Sequence, residues 1–306
     1  MQFSVRADKK SLALLRMRFR SRRRAHHYLT MRRVFKISLG ILAALAAVGV
    51  AAWTRVHPTN ERSWIPQQAV LPSASFNGNT VHVTGIRNFD YEAPGQFTPA
   101  YYDRTFDLDM IESAWFVLTP FSERWRGPAH SFVSFGFRDS QFVAISVEAR
   151  REPDETYDAV TGLLKRFELL YVIGDERDLI GSRARFETTP VYVYPIRARK
   201  ERIRQVFVDM LERANSLRAQ PEFYNTITNN CTSNVVRHVN DVAPRRVPGG
   251  IKTILPGYTD EVAHRLGLID TDLELEEARK RFRVNERARR YADDPAFSIR
   301  IREPAA

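Results

Sequence analysis

The sequence predicts an α+β fold with a mainly antiparallel sheet packed on helices. Short β-type runs come first, helical patterns dominate the C-terminal half, and strands and helices do not alternate regularly. The predicted strands are residues 81–86, 113–118, 131–137, 142–148, 169–173 and 191–196. The predicted helices are residues 157–167, 201–217, 232–240, 260–266 and 273–291.

Positive charge is concentrated at the N-terminus of the chain. The 306 residues carry a formal net charge of +11, and residues 1–36 hold 12 of the 47 Lys and Arg residues but only one acid, Asp8. The rest of the chain is therefore balanced in charge, which removes a whole-domain electrostatic argument for binding DNA or RNA. We expect no nucleic-acid partner.

Residues 37–53 form an apolar stretch without charged side chains, near the shortest length that spans a bilayer. The basic residues before it predict a cytoplasmic N-terminus and a main domain on the other side of the membrane. The sequence thus predicts one N-terminal membrane helix. Translation from Met31 instead of Met1 would make the same stretch a cleavable signal peptide, and a buried helix of a soluble protein is a further alternative.

Composition divides the chain into five segments. Residues 1–36 are predicted to be a basic cytoplasmic tail, 37–53 the membrane segment, 54–80 a polar linker, 81–270 the folded domain, and 271–306 a charged C-terminal helix or tail. The last segment is dense in both charge signs and keeps helical spacing poorly, which is typical of a solvated helix.

The chain has a single cysteine, Cys231, which excludes a disulfide within one chain. Asn229 and Asn230 precede it and a helical pattern follows, so we expect the thiol in the first turn of a helix. The free backbone N–H groups at a helix start favour the thiolate, the reactive form of cysteine. A small residue buried in that turn is the structural alternative.

Two predicted strands flank the tripeptide 138–140 and indicate a β-hairpin. If the hairpin closes around this loop, His130 faces Glu148, and Ser146 shares their polar face. The carboxylate would orient the imidazole and raise its pKa, which suits a base that activates a thiol. A register shift of one residue removes this pairing, and a simple surface His–Glu pair is the structural alternative.

No pattern indicates a cofactor or a metal site. The sequence has no paired His or Cys residues at ligand spacing and no Gly-rich phosphate-binding loop. We therefore predict that the protein uses neither. The remaining candidates, His82, His238 and His264, are interpreted as structural residues.

Five segments occur in an order that resembles a known family of bacterial envelope proteins. They are 87–91 (RNFDY), 129–137 (AHSFVSFGF), 146–152 (SVEARRE), 171–178 (YVIGDERD) and 224–232 (YNTITNNCT). Over roughly residues 80–250 the chain resembles the Lnb N-terminal periplasmic domain family. The resemblance implies a papain-like fold of the permuted NlpC/P60 type, in which the strand with the His precedes the helix with the Cys.

The same resemblance implies thiol-based acyl chemistry in the periplasm. Cys231 would be the nucleophile, His130 the base and Glu148 the orienting carboxylate. Further side chains expected to line the site are Ser146, Asn229, Asn230 and Arg150. The named member of the family is a lipoprotein N-acyltransferase, which implies a lipid or lipoprotein substrate, although no apolar stretch like residues 37–53 follows the domain in this sequence.

The predicted function is a membrane-tethered periplasmic acyltransferase or hydrolase that acts on a lipid, a lipoprotein or another envelope ester or amide. Its intermediate would be a thioester on Cys231. A cell-wall peptide amidase or peptidase of the NlpC/P60 type, with a peptidoglycan-derived substrate, is one alternative, and a non-catalytic envelope scaffold or binding domain is another. The expected location is the bacterial inner membrane, crossed once.

Overall fold

A long apolar helix, α1, spans Phe35–Arg55 and lies in the first of two units, Met1–His57. The computed structural model describes residues 31, 35–243, 246–250 and 255–304. The most apolar window of α1 has a mean hydropathy of 2.0 and is fully exposed. Its 21 residues span about 32 Å, close to the hydrocarbon thickness of a bilayer. The helix includes the predicted membrane segment, whereas most of the predicted tail 1–36 lies outside the described residues.

The second unit, Pro58–Ala306, is built on an eight-stranded sheet that is mainly antiparallel. Its order is β1-β2-β9-β8-β7-β6-β10, with β5 also paired to β2. A separate hairpin consists of β3 and β4. The strands are β1 Ser73–Asn77, β2 Thr80–Arg87, β3 Asp90–Ala93, β4 Gln96–Thr98, β5 Tyr101–Asp107, β6 Ile111–Pro120, β7 Ala129–Phe137, β8 Phe142–Arg150, β9 Glu168–Gly174 and β10 Tyr192–Pro195.

Helices cover both faces of this sheet. They are α2 Ser182–Phe186, α3 Lys200–Ala219, α4 Cys231–Val242, α5 Thr259–Arg265, α6 Leu275–Phe282, α7 Asn285–Arg290 and α8 Phe297–Arg300. On one face, α3 and α4 pack on the alternate apolar residues of β7, β8 and β9. On the other, α2, α7 and α8 pack on the intervening residues of the same strands. The predicted α+β class with a mainly antiparallel sheet is confirmed.

The six predicted strands are all present, and the hairpin register follows the sequence. Phe132 pairs with Ser146 and Gly136 with Phe142, which is the predicted alignment of β7 and β8. Because both faces of these strands are covered, their polar positions are less accessible than the sequence suggested. Ser134, which alternation puts on the same face of β7 as His130, is fully buried.

The chain between α1 and the predicted domain start is not a linker. Its residues 73–77 form β1, which pairs with β2. Nearby, the Arg62 guanidinium lies 2.9 Å from Glu168 and 3.2 Å from Glu155. These interactions fix residues 58–80 to the sheet, so the polar composition that suggested a linker reflects ion pairing and hydrogen bonding instead.

The C-terminal segment is also part of the folded unit, in contrast to the prediction of a solvated helix or tail. It forms two helices where one was predicted, followed by α8. Phe297 and Ile301 are 2% and 0% exposed and pack in the same core as Phe132 of β7. The apolar residues of this segment are few and are separated by charged residues. The sequence therefore shows no periodic apolar pattern from which its buried side could be predicted. The predicted helix over 157–167 contains only a short 3₁₀ turn, Thr161–Leu163.

Candidate functional site

Cys231 is the first residue of α4, as the sequence predicted. The Asn230 side chain accepts a hydrogen bond from the Ser233 N–H at 2.8 Å, and the Ser233 hydroxyl accepts from the Asn230 N–H at 2.8 Å. This reciprocal capping satisfies two backbone N–H groups at the helix start, those of Asn230 and Ser233. It explains why an Asn-rich turn precedes the cysteine and fixes the position of the thiol.

The thiol of Cys231 is buried in the core between α4 and the sheet, with 5% of the residue exposed. Burial raises the pKa of the thiol, while the N–H and hydroxyl groups of Ser131 and Thr232 act in the opposite direction. Burial is the larger effect, so the neutral thiol is favoured. The thiolate expected from the helix start is therefore not the form that this environment stabilises.

An aliphatic cavity of about 140 Å³ begins beside Cys231 and follows α4. The residue after the cysteine, Thr232, lines it together with Val235 and Val239 of the same helix. Side chains from α3 and α5, including Val206 and Val262, form the opposite wall. The wall is almost entirely hydrocarbon. Cys231 itself does not line the cavity, but its Sγ lies 3.8 Å from the hydroxyl of Thr232, which does.

His130, Ser146 and Glu148 form a connected cluster at the start of β7. The imidazole Nε2 of His130 lies 2.7 Å from the Ser146 hydroxyl, and that hydroxyl lies 3.0 Å from a Glu148 carboxylate oxygen. The imidazole and the same carboxylate oxygen are 4.0 Å apart. Ser146 therefore bridges the predicted pair, and the three residues that the sequence placed on one face do lie together.

The pKa of His130 moves in the opposite direction to the prediction. Burial, and to a smaller extent Arg183, lower the pKa of His130 to about 3, and the opposing effect of Glu148 is smaller than either. For Glu148, burial alone would raise the pKa, but Arg183, Arg87 and His130 outweigh it and hold the pKa at about 2. At neutral pH the cluster therefore consists of a neutral imidazole and an ionised carboxylate.

Cys231 and His130 lie on opposite faces of the sheet. The thiol packs in the core formed by Val133 and Val147, whereas the His130 ring is 5.6 Å from that of Phe132, which belongs to the core on the other side. Among the described residues, no contact joins the thiol to the imidazole or to Glu148. The structure therefore does not bring together the nucleophile and base that the family resemblance implied.

Arg150 and the two asparagines have structural partners. The Arg150 guanidinium donates to the carbonyl groups of Gln68 and Ala69 at 2.9 and 2.8 Å and lies over the Trp64 ring. The side-chain amide of Asn229 donates to the Phe223 carbonyl at 3.0 Å. Together with the capping role of Asn230, these bonds shape the chain around the core, and Arg150 in particular does not line a cleft as expected.

Three residues near Glu148 were missed by the sequence analysis. Gln68 donates to the carboxylate at 2.9 Å, and Arg183 lies 3.5 Å from it. Arg87 lies within its electrostatic reach and forms a bidentate ion pair with Asp178 at 2.8 and 2.9 Å. Arg87 and Asp178 belong to two of the recognised segments, but Gln68 and Arg183 carried no signal. The charged run 175–178 pairs with residues far away in the chain, since Asp178 binds Arg87 and Glu176 binds Arg302.

The remaining histidine candidates and the prediction of no metal site can also be compared with the structure. His238 is buried, and its ring lies 2.5 Å from Asp209 and 2.7 Å from the Tyr171 hydroxyl, in agreement with its interpretation as a structural residue. In the part of the chain that the structure describes, no group of three or more His, Cys, Asp or Glu side chains is arranged to hold a metal ion.

The sequence matches the model of the Lnb N-terminal periplasmic domain family over residues 97–257, more than half of the chain. The chain belongs to this family. The resemblance inferred from the five segments is thereby confirmed, and residues 97–257 form part of a periplasmic domain. No curated protein and no solved structure matches the chain. His130, Ser146, Glu148 and Cys231 all lie within the part that the Lnb N-terminal domain family covers.

Proposed function

We propose that this protein is a membrane-tethered periplasmic enzyme that transfers acyl groups through a thioester on Cys231. The observation that carries the proposal is the aliphatic cavity along α4, because it begins at the residue next to the only cysteine. A hydrocarbon wall of this kind suits the chain of a fatty acyl group. Helix α1 would cross the inner membrane once, with the N-terminus in the cytoplasm.

In the proposed reaction the Cys231 thiolate attacks an ester carbonyl of a lipid. The tetrahedral intermediate expels the alcohol, which takes up a proton, and a thioester remains on Sγ. An amine, such as that of a lipoprotein, then attacks the thioester and transfers its proton to the departing thiolate. Free N–H groups at the start of α4 would stabilise the oxyanion in both steps.

The reaction needs a base, and we assign this role to His130. Its neighbour Ser131 interacts with the thiol through N–H and hydroxyl groups, so the chain at this point is already beside Sγ. The imidazole must leave Ser146 and turn to the other face of the sheet. The proposal therefore includes a rearrangement of the first residues of β7 when substrate enters, with Glu148 and Ser146 holding the inactive position.

Intact mass spectrometry tests the proposal directly. The full-length protein in detergent is incubated with phospholipid, and we expect an added acyl mass that neutral hydroxylamine removes. Cys231→Ala should abolish the adduct, and His130→Ala should slow its formation. Val239→Phe, which fills the cavity, should reduce acylation, whereas Val160→Phe at an exposed position is the matched control. Absence of any hydroxylamine-sensitive adduct would contradict acyl transfer.

A non-catalytic binding domain is the second candidate function. The observation that favours it is the neutral, buried thiol on the opposite face from His130. In that case Cys231→Ala should support the same cellular phenotype as the wild-type protein, because the cysteine would only fill space in the core. Loss of the phenotype in a stably folded Cys231→Ala protein would favour the enzyme.

A further inference from the structure

A second cavity, of about 320 Å³, lies beside Glu148 on the His130 side of the sheet. Because liquid water occupies about 30 Å³ per molecule, this space matches a small polar molecule in size. Its wall comes from separate parts of the chain, including residues 65–68, the β3–β4 hairpin and α2. In contrast to the cavity along α4, about half of its exposed lining is polar.

The inner charges of this cavity are already compensated by protein partners. Arg87 forms its bidentate ion pair with Asp178 and also donates to the Gln67 carbonyl at 2.7 Å. Glu148 accepts hydrogen bonds from Gln68 and Ser146 and faces Arg183. These groups form a polar wall that does not itself require a ligand.

The charges of Arg151 and Glu187, which also line the cavity, are not compensated in this way. Within the described residues, neither side chain forms an ion pair, either with the other or with a third residue. The hydroxyl of Tyr91, on the hairpin, likewise has no hydrogen-bond partner in the described part of the chain. Glu187 accepts one hydrogen bond, from the Thr189 hydroxyl at 3.3 Å. A cation and an anion that lack ion-pair partners among the described residues, and a free hydroxyl, therefore line one preformed space.

The hairpin wall is held in place by its backbone and its aromatic residues. Gly95 has a φ of +77°, a left-handed conformation that closes the tight turn between β3 and β4 and that disfavours other residues. Phe89 stacks on Phe97 with ring centroids 5.2 Å apart, and Tyr91 contacts the same Phe97 ring at 5.6 Å. The Tyr91 hydroxyl is therefore presented by a packed element.

We propose that this cavity binds a small zwitterion with a primary ammonium group and an anionic oxygen group a few ångströms apart. The anionic group, a phosphate or carboxylate, binds Arg151 and the Tyr91 hydroxyl. The ammonium group binds Glu187. The head group of an ethanolamine phospholipid and a free amino acid share this chemistry. The site does not involve Cys231, so it goes beyond the proposed acyl transfer.

Calorimetric titration of the full-length protein in detergent micelles tests the proposal. The probes are O-phosphoethanolamine and alanine, with inorganic phosphate and ethylamine as the two half-ligands. We expect saturable binding of at least one zwitterion, at least tenfold tighter than that of either half-ligand. A stronger signal with O-phosphoethanolamine points to a lipid head group, and a stronger signal with alanine points to a free amino acid.

Matched variants locate the binding. Arg151→Gln and Glu187→Gln should each weaken it about tenfold, since each removes one of the two charge contacts. Lys280→Gln and Asp293→Asn remove exposed charges elsewhere and should leave it unchanged. The proposal is wrong if neither zwitterion binds saturably, if phosphate alone binds as tightly, or if both cavity variants bind like the wild type. Cys231→Ala should bind normally, which separates this result from a failure of acyl transfer.

Discussion

Cys231 and His130 occupy opposite faces of one sheet, although Ser131, the residue after His130, interacts with the thiol. The cause is the alternation of side chains along β7, which directs residue 131 towards α4 and residue 130 away from it. In this arrangement the thiol stays neutral and the imidazole hydrogen-bonds to Ser146. The proposed acyl transfer at Cys231 therefore requires a change at the start of β7.

The first prediction concerns the pH dependence of thiol reactivity. Because burial raises the pKa of Cys231, its labelling by iodoacetamide should be slow at neutral pH. The rate should continue to increase above pH 9, because the pKa of this thiol lies above the ordinary value of 9.0. Labelling rates measured at a series of pH values from 6 to 10 test this prediction. A plateau below pH 7 would instead indicate a thiolate–imidazolium pair already formed in the free protein.

The second prediction concerns acid stability and His130. Its pKa in the folded protein is about 3, below the ordinary 6.5, so the unfolded state binds the proton more readily between these values. The folded state should therefore lose about 1–2 kcal/mol between pH 6.5 and 5 through this residue alone. Urea unfolding at several pH values should show a smaller loss in His130→Asn. His82→Asn, at an exposed strand position, should retain the full loss.

The third prediction concerns the pair formed by Glu148 and Arg183. Glu148→Gln leaves the partly buried guanidinium without its carboxylate and should cost about 1–3 kcal/mol of unfolding free energy at neutral pH. The folded pKa of about 2 lies below the ordinary 4.5, so the stabilisation by the carboxylate is present above pH 4.5 and is lost as the pH falls through 2. Arg183→Met should recover part of the cost in the double variant. Equal stability of Glu148→Gln and wild type would mean that the carboxylate is fully solvated.

The fourth prediction compares two isoleucines of the C-terminal segment. Ile301 is fully buried on the sheet, whereas Ile299 is 41% exposed. Ile301→Ala should lower the unfolding free energy by about 2–4 kcal/mol, because it leaves a cavity in the core. Ile299→Ala should change it by less than about 1 kcal/mol. Similar small effects for both would show that the segment is a solvated tail, as its charge pattern suggested.

The sequence by itself determined six of the strands, the hairpin register and the first turn of α4. The alternating residues of β7 and β8 admit one alignment around the loop 138–140, and the observed pairs follow it. The Asn residues before Cys231 can cap a helix using only neighbouring groups, so their role was readable locally. The five ordered segments were also sufficient to identify the family.

Only the tertiary structure decided which faces are covered and which groups meet. Phe297 and Ile301 are too sparse among charged residues to predict a buried segment, yet they cover the face that includes Ser134. Arg183 reaches Glu148 from a distant part of the chain, and together with burial it reverses the expected direction of the His130 pKa. The register of β7 and β8 specifies which residues share a face of the sheet, but it does not specify which helix packs on that face. Contacts between residues far apart in the chain place α4 on one face of the sheet. As a result the sheet lies between Cys231 and His130.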